Sequence, residues 1–358
     1  MTTLTDLLVQ QIRTTGPMTV AQYMTTCLLH PKFGYYTSQT AFGADGDFTT
    51  APEISQMFGE LIGLCLAQCW FDQGQPDKFA LAELGPGRGT LMADMLRATR
   101  GVPGFHDAMS LHLVEASPKL RQAQADRLAG ATPTWHDTVD VLPDTLPLYC
   151  VANEFFDALP VRQFQRDPGG WREVLVGVDK GGVLRQGLSD AAPIEALDHR
   201  LQDTKDGELV ESCVQATVAA EAVSSRIAAN GGAALIVDYG GWRSKGDTFQ
   251  AVKNHQPVGP FVSPGQADLT AHVDFEPLSH AAEGAGCRVS EMTPQGVFLE
   301  RLGITARAQS LAKGLSGDAL ESHIAAHRRL THPDEMGSLF KVLGIVPGTE
   351  SLPPGLET

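Results

Sequence analysis

Apolar residues follow two rhythms along this chain. Near the N-terminus they recur at helical spacing: Leu4, Leu7, Leu8 and Ile12 share one face, and Gly16-Pro17 ends the pattern. Thr19 and Gln22 stand three apart, as in a capping box, which predicts a second short helix closing near His30-Pro31. Pro52 suits the first turn of a further helix, where its missing N–H costs nothing. Ile54, Phe58, Leu61, Ile62, Cys65 and Cys69 would give that helix one apolar face. From Phe79 the rhythm changes to short apolar runs separated by helical stretches. Residues 79–84 read as a buried strand, 90–99 as a helix, and 111–115 as a second strand. Ser117-Pro118 predicts a helix start, with Ser as the cap and Pro at the first position, leading to Leu128. Residues 134–136 and 148–153 complete a set of four strands. Strands alternating with helices predict a parallel sheet covered by helices on both faces.

Beyond Pro160 the pattern turns antiparallel in character, with strands expected over 161–165 and 171–178. A helix fits 208–229, and Gly231-Gly232 introduces another buried strand, 233–238, expected to rejoin the main sheet. Residues 240–272 are rich in Gly, Pro and polar residues, a long connection of the kind that carries function. Helices fit 274–285 and 317–330, with one or two more turns near 333–342. The expected organisation is an N-terminal helical lid segment (1–60), the first part of a ligand-binding core (61–166), an accessory insertion (167–230) and the remainder of the core with covering helices (231–358). That last helical material either covers the core or pairs with a second copy in a homodimer, and the pattern leaves both open.

Composition narrows the function. Apolar residues make up 42% and charged residues 19%, as expected for a packed globular chain. Lys plus Arg is 27 against 42 for Asp plus Glu, a formal charge of −15. Phosphate-backbone binding needs a cationic face, so no nucleic-acid partner is expected, and a cationic partner would be steered favourably. No apolar run approaches the roughly 18 residues of a bilayer span, so no membrane insertion is expected. The first thirteen residues resemble neither a signal peptide nor an Arg-rich transit peptide, and a cytoplasmic chain is expected. Six cysteines in 358 residues read as buried thiols in a reducing compartment, and no metal site is expected at Cys65 and Cys69.

The sharpest chemical feature is Glu83-Leu84-Gly85-Pro86-Gly87-Arg88-Gly89, a glycine-rich turn between strand and helix. Such a turn lets a ligand approach bare backbone and helix N–H groups. Its third Gly comes one residue earlier than in the nicotinamide fingerprint, and Glu83 precedes the first Gly by two. A carboxylate there would repel a pyrophosphate but suits a ligand bearing an ammonium group. Glu115 ends the next strand, where an acid accepts hydrogen bonds from ribose hydroxyls. Amino-acid part plus ribose describes S-adenosyl-L-methionine (SAM). At the fourth strand's end, Asn153-Glu154-Phe155-Phe156-Asp157 should face the ligand beyond the carboxyl edge of the sheet. Gly46-Asp47-Phe48-Thr49-Thr50-Ala51-Pro52-Glu53 reads as a loop feeding a helix and a candidate lid.

Several runs together carry a family resemblance. His30-Pro31-x-x-Gly34-Tyr35-Tyr36, the 46–53 loop, Glu83-x-Gly85-x-Gly87-x-Gly89, the 153–160 run Asn153-Glu154-Phe155-Phe156-Asp157-Ala158-Leu159-Pro160, and Asp268-Leu269-Thr270-Ala271-His272-Val273-Asp274-Phe275 resemble the MidA family over about residues 15 to 345. The resemblance implies a Rossmann-like α/β fold with a seven-strand class I methyltransferase core. It also implies SAM as methyl donor, S-adenosyl-L-homocysteine (SAH) as product, and symmetric dimethylation of an arginine on a core subunit of respiratory complex I, in whose assembly the mitochondrial relatives act. The expected cofactor set is Glu83, Gly85, Gly87, Gly89, Glu115, Ser117, Asn153 and Thr50. Catalysis is expected from Glu154, Asp157, Asn153 and His272, and substrate contact from Glu53, Phe155 and Phe156. A SAM-binding scaffold without catalysis and a small-molecule methyltransferase remain the alternatives at this level, since one core hosts many acceptors.

Overall fold

The computed structural model describes residues 2–38 and 50–357. They fold as two compact units. A sheet unit comprises Thr49–Phe156, Ala216–Trp242 and Phe275–Thr358, and an accessory unit comprises Met1–Phe48, Asp157–Gln215 and Arg243–Asp274.

The main path of the sheet in this unit has seven strands, β1 (Phe79–Leu84), β2 (Met109–Val114), β3 (Thr134–His136), β4 (Leu148–Asn153), β5 (Gly232–Gly241), β6 (Cys287–Val289) and β7 (Phe340–Pro347), and the two-residue strand Thr293–Pro294 also pairs with β7. Their order across the sheet is β3-β2-β1-β4-β5-β7-β6. Neighbours from β3 to β5 are parallel, while β7 runs antiparallel to both β5 and β6. This is the Rossmann-like seven-strand core that the motifs imply. Every residue of β1 and β4 is buried. Such strands are covered on both faces and so read as continuous apolar runs rather than alternating ones. Phe79 on β1 packs against Phe105 (ring centroids 4.9 Å apart), Tyr149 (5.2 Å) and Trp70 (5.9 Å). Chain order reverses direction between β1 and β4, which opens a crevice at the carboxyl edge of the sheet.

Four local expectations change. The helix begun at Pro52 is two helices, Ala51–Ile54 and Gln56–Asp72, because Ser55 is extended and its side chain accepts from the Met57 N–H. Residues 208–229 are not one helix. Leu209–Ser212 pairs with Arg162–Asp167, and the helix proper is Val214–Asn230. Burial of Val210 outweighs the local helix preference. The 240–272 connection contains a three-stranded sheet of Gln250–Lys253, Gln256–Val258 and Asp268–Thr270. Finally, the turns near 333–342 are one short helix, Met336–Leu339, followed by β7, a strand missed along with β6. Val342, Leu343, Ile345 and Val346 are all buried, and a short apolar run of that kind has no period to separate strand from helix.

The accessory unit packs helices Leu4–Thr15 and Val20–Leu29 with the strand Gly170–Val178, over a core including Leu8, Tyr23, Met24 and Val176. The capping box read at Thr19 and Gln22 is formed, at 2.9 and 3.1 Å. Gly46 to Thr49 of the loop motif lie outside the described residues. Among the described residues, no helix is long and apolar enough to cross a membrane.

Candidate active site

The carboxyl ends of β1, β2 and β4 finish level with one another, and β5 runs alongside them and beyond. Leu84 pairs with both Val114 and Ala152, and Asn153 pairs with Val237. The residues that follow, Gly85, Glu115, Glu154 and Asp238, therefore gather at one edge of the sheet. Gly85, Gly87 and Gly89 all have positive φ, at 64°, 53° and 77°. A Cβ on Gly85 would stand 2.9 Å from Phe155 Cδ2, so the turn presents bare backbone. Gly89 closes it by donating to the Pro86 carbonyl at 2.7 Å and leads into the helix Thr90–Thr99.

Two acids flank this turn. Glu83 is 3% exposed, and its Oε2 has no hydrogen-bond partner among the described residues. Burial pushes its carboxyl up to about 8, the nearby Glu115 charge adds to the rise, and a backbone bond from Met92 opposes it. Glu115 accepts from the Ser117 N–H at 2.8 Å and from Gln124 Nε2 at 3.2 Å. Burial still raises it to about 7 against those bonds. Ser117 is buried and caps its helix, its Oγ accepting from the Leu120 N–H at 3.4 Å.

Gln124 is a site residue that the sequence reading missed. It is wholly buried, and its amide also donates to the Gly87 carbonyl at 2.8 Å while its oxygen accepts from Trp135 Nε1 at 2.7 Å. One side chain thus ties the glycine turn, Glu115 and β3 together. The available signal was its spacing: a polar residue four from Leu120 and four from Leu128, on the inward line of the helix.

At the tip of β4, Asn153 is buried and its Oδ1 lacks a partner among the described residues, while its Nδ2 donates to Glu154 Oε1 at 3.2 Å. Glu154 has φ of 51°, a left-handed conformation that costs a non-glycine residue of order 1 kcal/mol and clusters at functional sites. Its N–H donates to the Val237 carbonyl at 2.9 Å, and its Oε1 also accepts from the Ala51 N–H at 3.2 Å. Asp238, another missed residue, is fully buried and accepts from the Phe156 N–H at 3.0 Å and from the Tyr239 N–H at 2.9 Å. It braces the turn that carries Glu154 and Phe155. It closes the apolar run 233–237 as Glu115 closes that of β2, which was the readable signal.

Thr50 caps the one-turn helix Ala51–Ile54 by position, without a side-chain cap bond. Glu53 accepts from Thr90 Oγ1 at 2.5 Å, joining that turn to the helix behind the glycines. Phe155 is half-buried and Phe156 buried, their rings 5.2 Å apart and nearly perpendicular. Asp157 and His272 belong to the accessory unit. There Asp157 is buried, its carbonyl accepts from the Ala271 N–H at 3.0 Å, and the His272 N–H donates to Thr248 Oγ1 at 2.8 Å.

These residues fit SAM. Three glycines at positive φ form the turn, and at Gly85 a Cβ would meet Phe155. A buried carboxylate oxygen on Glu83 and an amide oxygen on Asn153 await donors, and Glu115 stands where ribose hydroxyls would donate. When bound, SAM supplies an electrophilic methyl on a sulfonium.

A pH dependence follows from the two acids. Their folded values lie above the ordinary 4.5, so their contribution to stability is complete below pH 4.5 and is lost as pH rises through 7 to 8. Donors on a ligand favour the carboxylate forms, so the ligand gains over the same window. SAH affinity is expected to rise roughly tenfold from pH 6 to pH 7, with proton uptake by buffer at pH 7. Calorimetry in two buffers of different ionisation heat measures both; a flat affinity with no transferred proton would contradict the assignment.

Comparison with known proteins agrees with this geometry. The family model described as "Putative S-adenosyl-L-methionine-dependent methyltransferase" matches residues 61–293. The mitochondrial protein arginine methyltransferase NDUFAF7 of Danio rerio is 40% identical over 367 residues, covering 95% of this chain and 86% of the relative. That of Mus musculus is 40% identical over 370 residues, covering 95% and 83%. A crystal structure of a Burkholderia thailandensis protein bound to S-adenosyl-homocysteine is 28% identical with a TM-score of 0.86, covering 98% of this chain and 94% of that one. With motifs, sheet order and relatives in agreement over nearly its whole length, the chain belongs to the MidA family of SAM-dependent methyltransferases.

Proposed function

We propose that this chain transfers methyl groups from SAM to an arginine of a protein substrate, a core subunit of respiratory complex I, and so acts in assembly of that complex. The arginine rests on the printed names of the NDUFAF7 relatives, and the complex I subunit on the motif resemblance. The observation that carries the chemistry is Glu154, held in a left-handed conformation at the strand tip with its Oε1 fixed by Asn153 and the Ala51 N–H.

An arginine guanidinium is a hard acceptor, because it is cationic and its nitrogen lone pairs are delocalised. A carboxylate can hold the planar fork bidentately, draw positive charge away from the attacking nitrogen and take up the proton that nitrogen loses. Glu154 takes this role, Asn153 orients it, and Phe155 beside Gly85 walls the turn against water. Glu53, Phe155 and Phe156 contact the acceptor. The place of action is the cytoplasm: all six cysteines are free thiols, five of them buried, which suits a reducing compartment.

The test is transfer of labelled methyl from SAM to an extract containing complex I subunits, followed by acid hydrolysis of the labelled band. Labelled dimethylarginine is expected. Label in a small-molecule fraction, or SAH binding without any transfer, would overturn the reading.

A further inference from the structure

Gln124 is the one buried residue of the helix Pro118–Arg127, and it is a polar one. Its amide makes three hydrogen bonds. Oε1 accepts from Trp135 Nε1 at 2.7 Å, while Nε2 donates to the Gly87 carbonyl at 2.8 Å and to Glu115 Oε2 at 3.2 Å. The partners dictate which end of the amide is which. An indole N–H only donates, whereas a carbonyl and a carboxylate only accept, so the amide oxygen must face Trp135 and the NH2 must face the other two. Turning the amide over would set donor against donor on one side and oxygen against oxygen on the other.

The backbone of Glu115 is held without this amide. Its N–H donates to the His136 carbonyl at 2.9 Å, and its carbonyl accepts from Arg121 Nε at 2.7 Å. The carboxylate is the part left to orient. Oε1 accepts from the Ser117 N–H at 2.8 Å and Oε2 from Gln124, so a donor sits on each oxygen and rotation of the group breaks both bonds. An ionised carboxylate accepts about four hydrogen bonds, so capacity for a ligand's donors remains. Burial raises this carboxyl to about 7; the Ser117 and Gln124 donors and the Arg121 charge oppose the rise, and Glu83 is the neighbouring acid.

We propose that Gln124, its amide locked by Trp135, is the positioning residue that sets Glu115 to read a pair of adjacent hydroxyls, so that the donor site selects ribose over a deoxy sugar. The inference rests on SAM as the ligand and on Glu115 as its ribose acceptor, and it does not depend on which group takes the methyl. Two carboxylate oxygens held in one plane match two neighbouring hydroxyls at once, and the cost of orienting the carboxylate is met by the fold before the ligand arrives. The same amide holds the Gly87 carbonyl, so the glycine turn and the ribose acceptor keep a fixed spacing.

The experiment titrates the full chain by calorimetry with SAH and with 2′,3′-dideoxy-SAH, at pH 7 and pH 8. The parent is expected to bind SAH roughly tenfold or more tightly than the dideoxy probe, the scale of hydrogen bonds to a charged group. Gln124→Met keeps the side-chain length and removes all three bonds, so the preference for SAH should shrink by about threefold or more. Without the Gln124 donor the Glu115 carboxyl keeps its proton to higher pH, so the variant's gain in SAH affinity from pH 7 to pH 8 should exceed the parent's by about threefold. A residue that served packing alone would lower the affinity of both probes equally and leave the pH gain unchanged. Trp135→Phe frees the amide to turn while leaving Gln124 in place; it should shrink the preference by about twofold, and it carries the test if Gln124→Met does not fold. A folded Gln124→Met with the parental preference or the parental pH gain, or in its stead a folded Trp135→Phe with the parental preference, would overturn the role of Gln124 and leave Glu115 as the ribose acceptor. Equal binding of the two probes by the parent would overturn both.

Discussion

Glu154→Gln is expected to lower kcat for methyl transfer by roughly a hundred- to ten-thousand-fold, the range for losing a positioned proton acceptor, while SAH affinity stays within a few fold. Gln keeps the shape of Glu, and its oxygen can still accept from the Ala51 N–H and Asn153 Nδ2, which fix Glu154 Oε1 at 3.2 Å each. The backbone bond from Glu154 to the Val237 carbonyl is untouched. The variant therefore removes charge and basicity from a side chain that keeps its place. A structural role would predict the reverse: a lower melting temperature with activity retained in proportion to folded protein. Single-turnover kinetics with saturating SAM, read beside SAH calorimetry, distinguishes the two. Transfer at the parental rate would remove Glu154 from the mechanism.

Gly232→Ala should cost the fold about 3 kcal/mol or more, from backbone strain together with overpacking, and lower the melting temperature by roughly 6–12 °C. Gly232 starts β5 with φ of 113°, and a Cβ there would lie 2.0 Å from the Leu148 carbonyl oxygen of β4. The backbone cannot step aside cheaply. The Gly232 N–H donates to Gln73 Oε1 at 2.7 Å, and its carbonyl accepts from Gln73 Nε2 at 2.9 Å. The neighbour is a backbone oxygen in the β4–β5 ladder, not the far end of a flexible side chain. Gly101→Ala is the control: nothing lies within 4 Å of its Cβ, and a change within about 0.5 kcal/mol is expected. Because β4 and β5 carry Asn153 and Asp238, SAH binding should fall together with folded fraction. A Gly232→Ala protein with the parental melting temperature would show that the ladder relaxes more easily than its bonding indicates.

Where local chemistry settled a conformation, the sequence was legible. The glycine turn at 85–89 requires positive φ, which only glycine reaches cheaply, and three glycines so placed announce it. The Ser117-Pro118 and Thr19–Gln22 starts were readable because a cap is a bond between residues three apart. β1 and β4 were readable because strands buried on both faces show as unbroken apolar runs between turns. β7 was not, since a similar run, following a stretch of helical character, fits either element until its neighbour is known.

The sequence alone determined the class of ligand. An acid before the glycines and an acid after the next strand are chemical facts about Glu83 and Glu115 that need no coordinates to argue for an adenosyl ligand bearing an ammonium group. Tertiary structure decided which other side chains serve that ligand, because burial and cross-strand register depend on residues far apart in the chain. Gln124 reaches back 37 positions to the Gly87 carbonyl, and Asp238 reaches 82 positions to brace the Phe156 N–H. No period or spacing encodes either contact. Each exists because parallel strands distant in sequence end at the same edge, where the fold has removed water and a polar atom must find its partner within the protein.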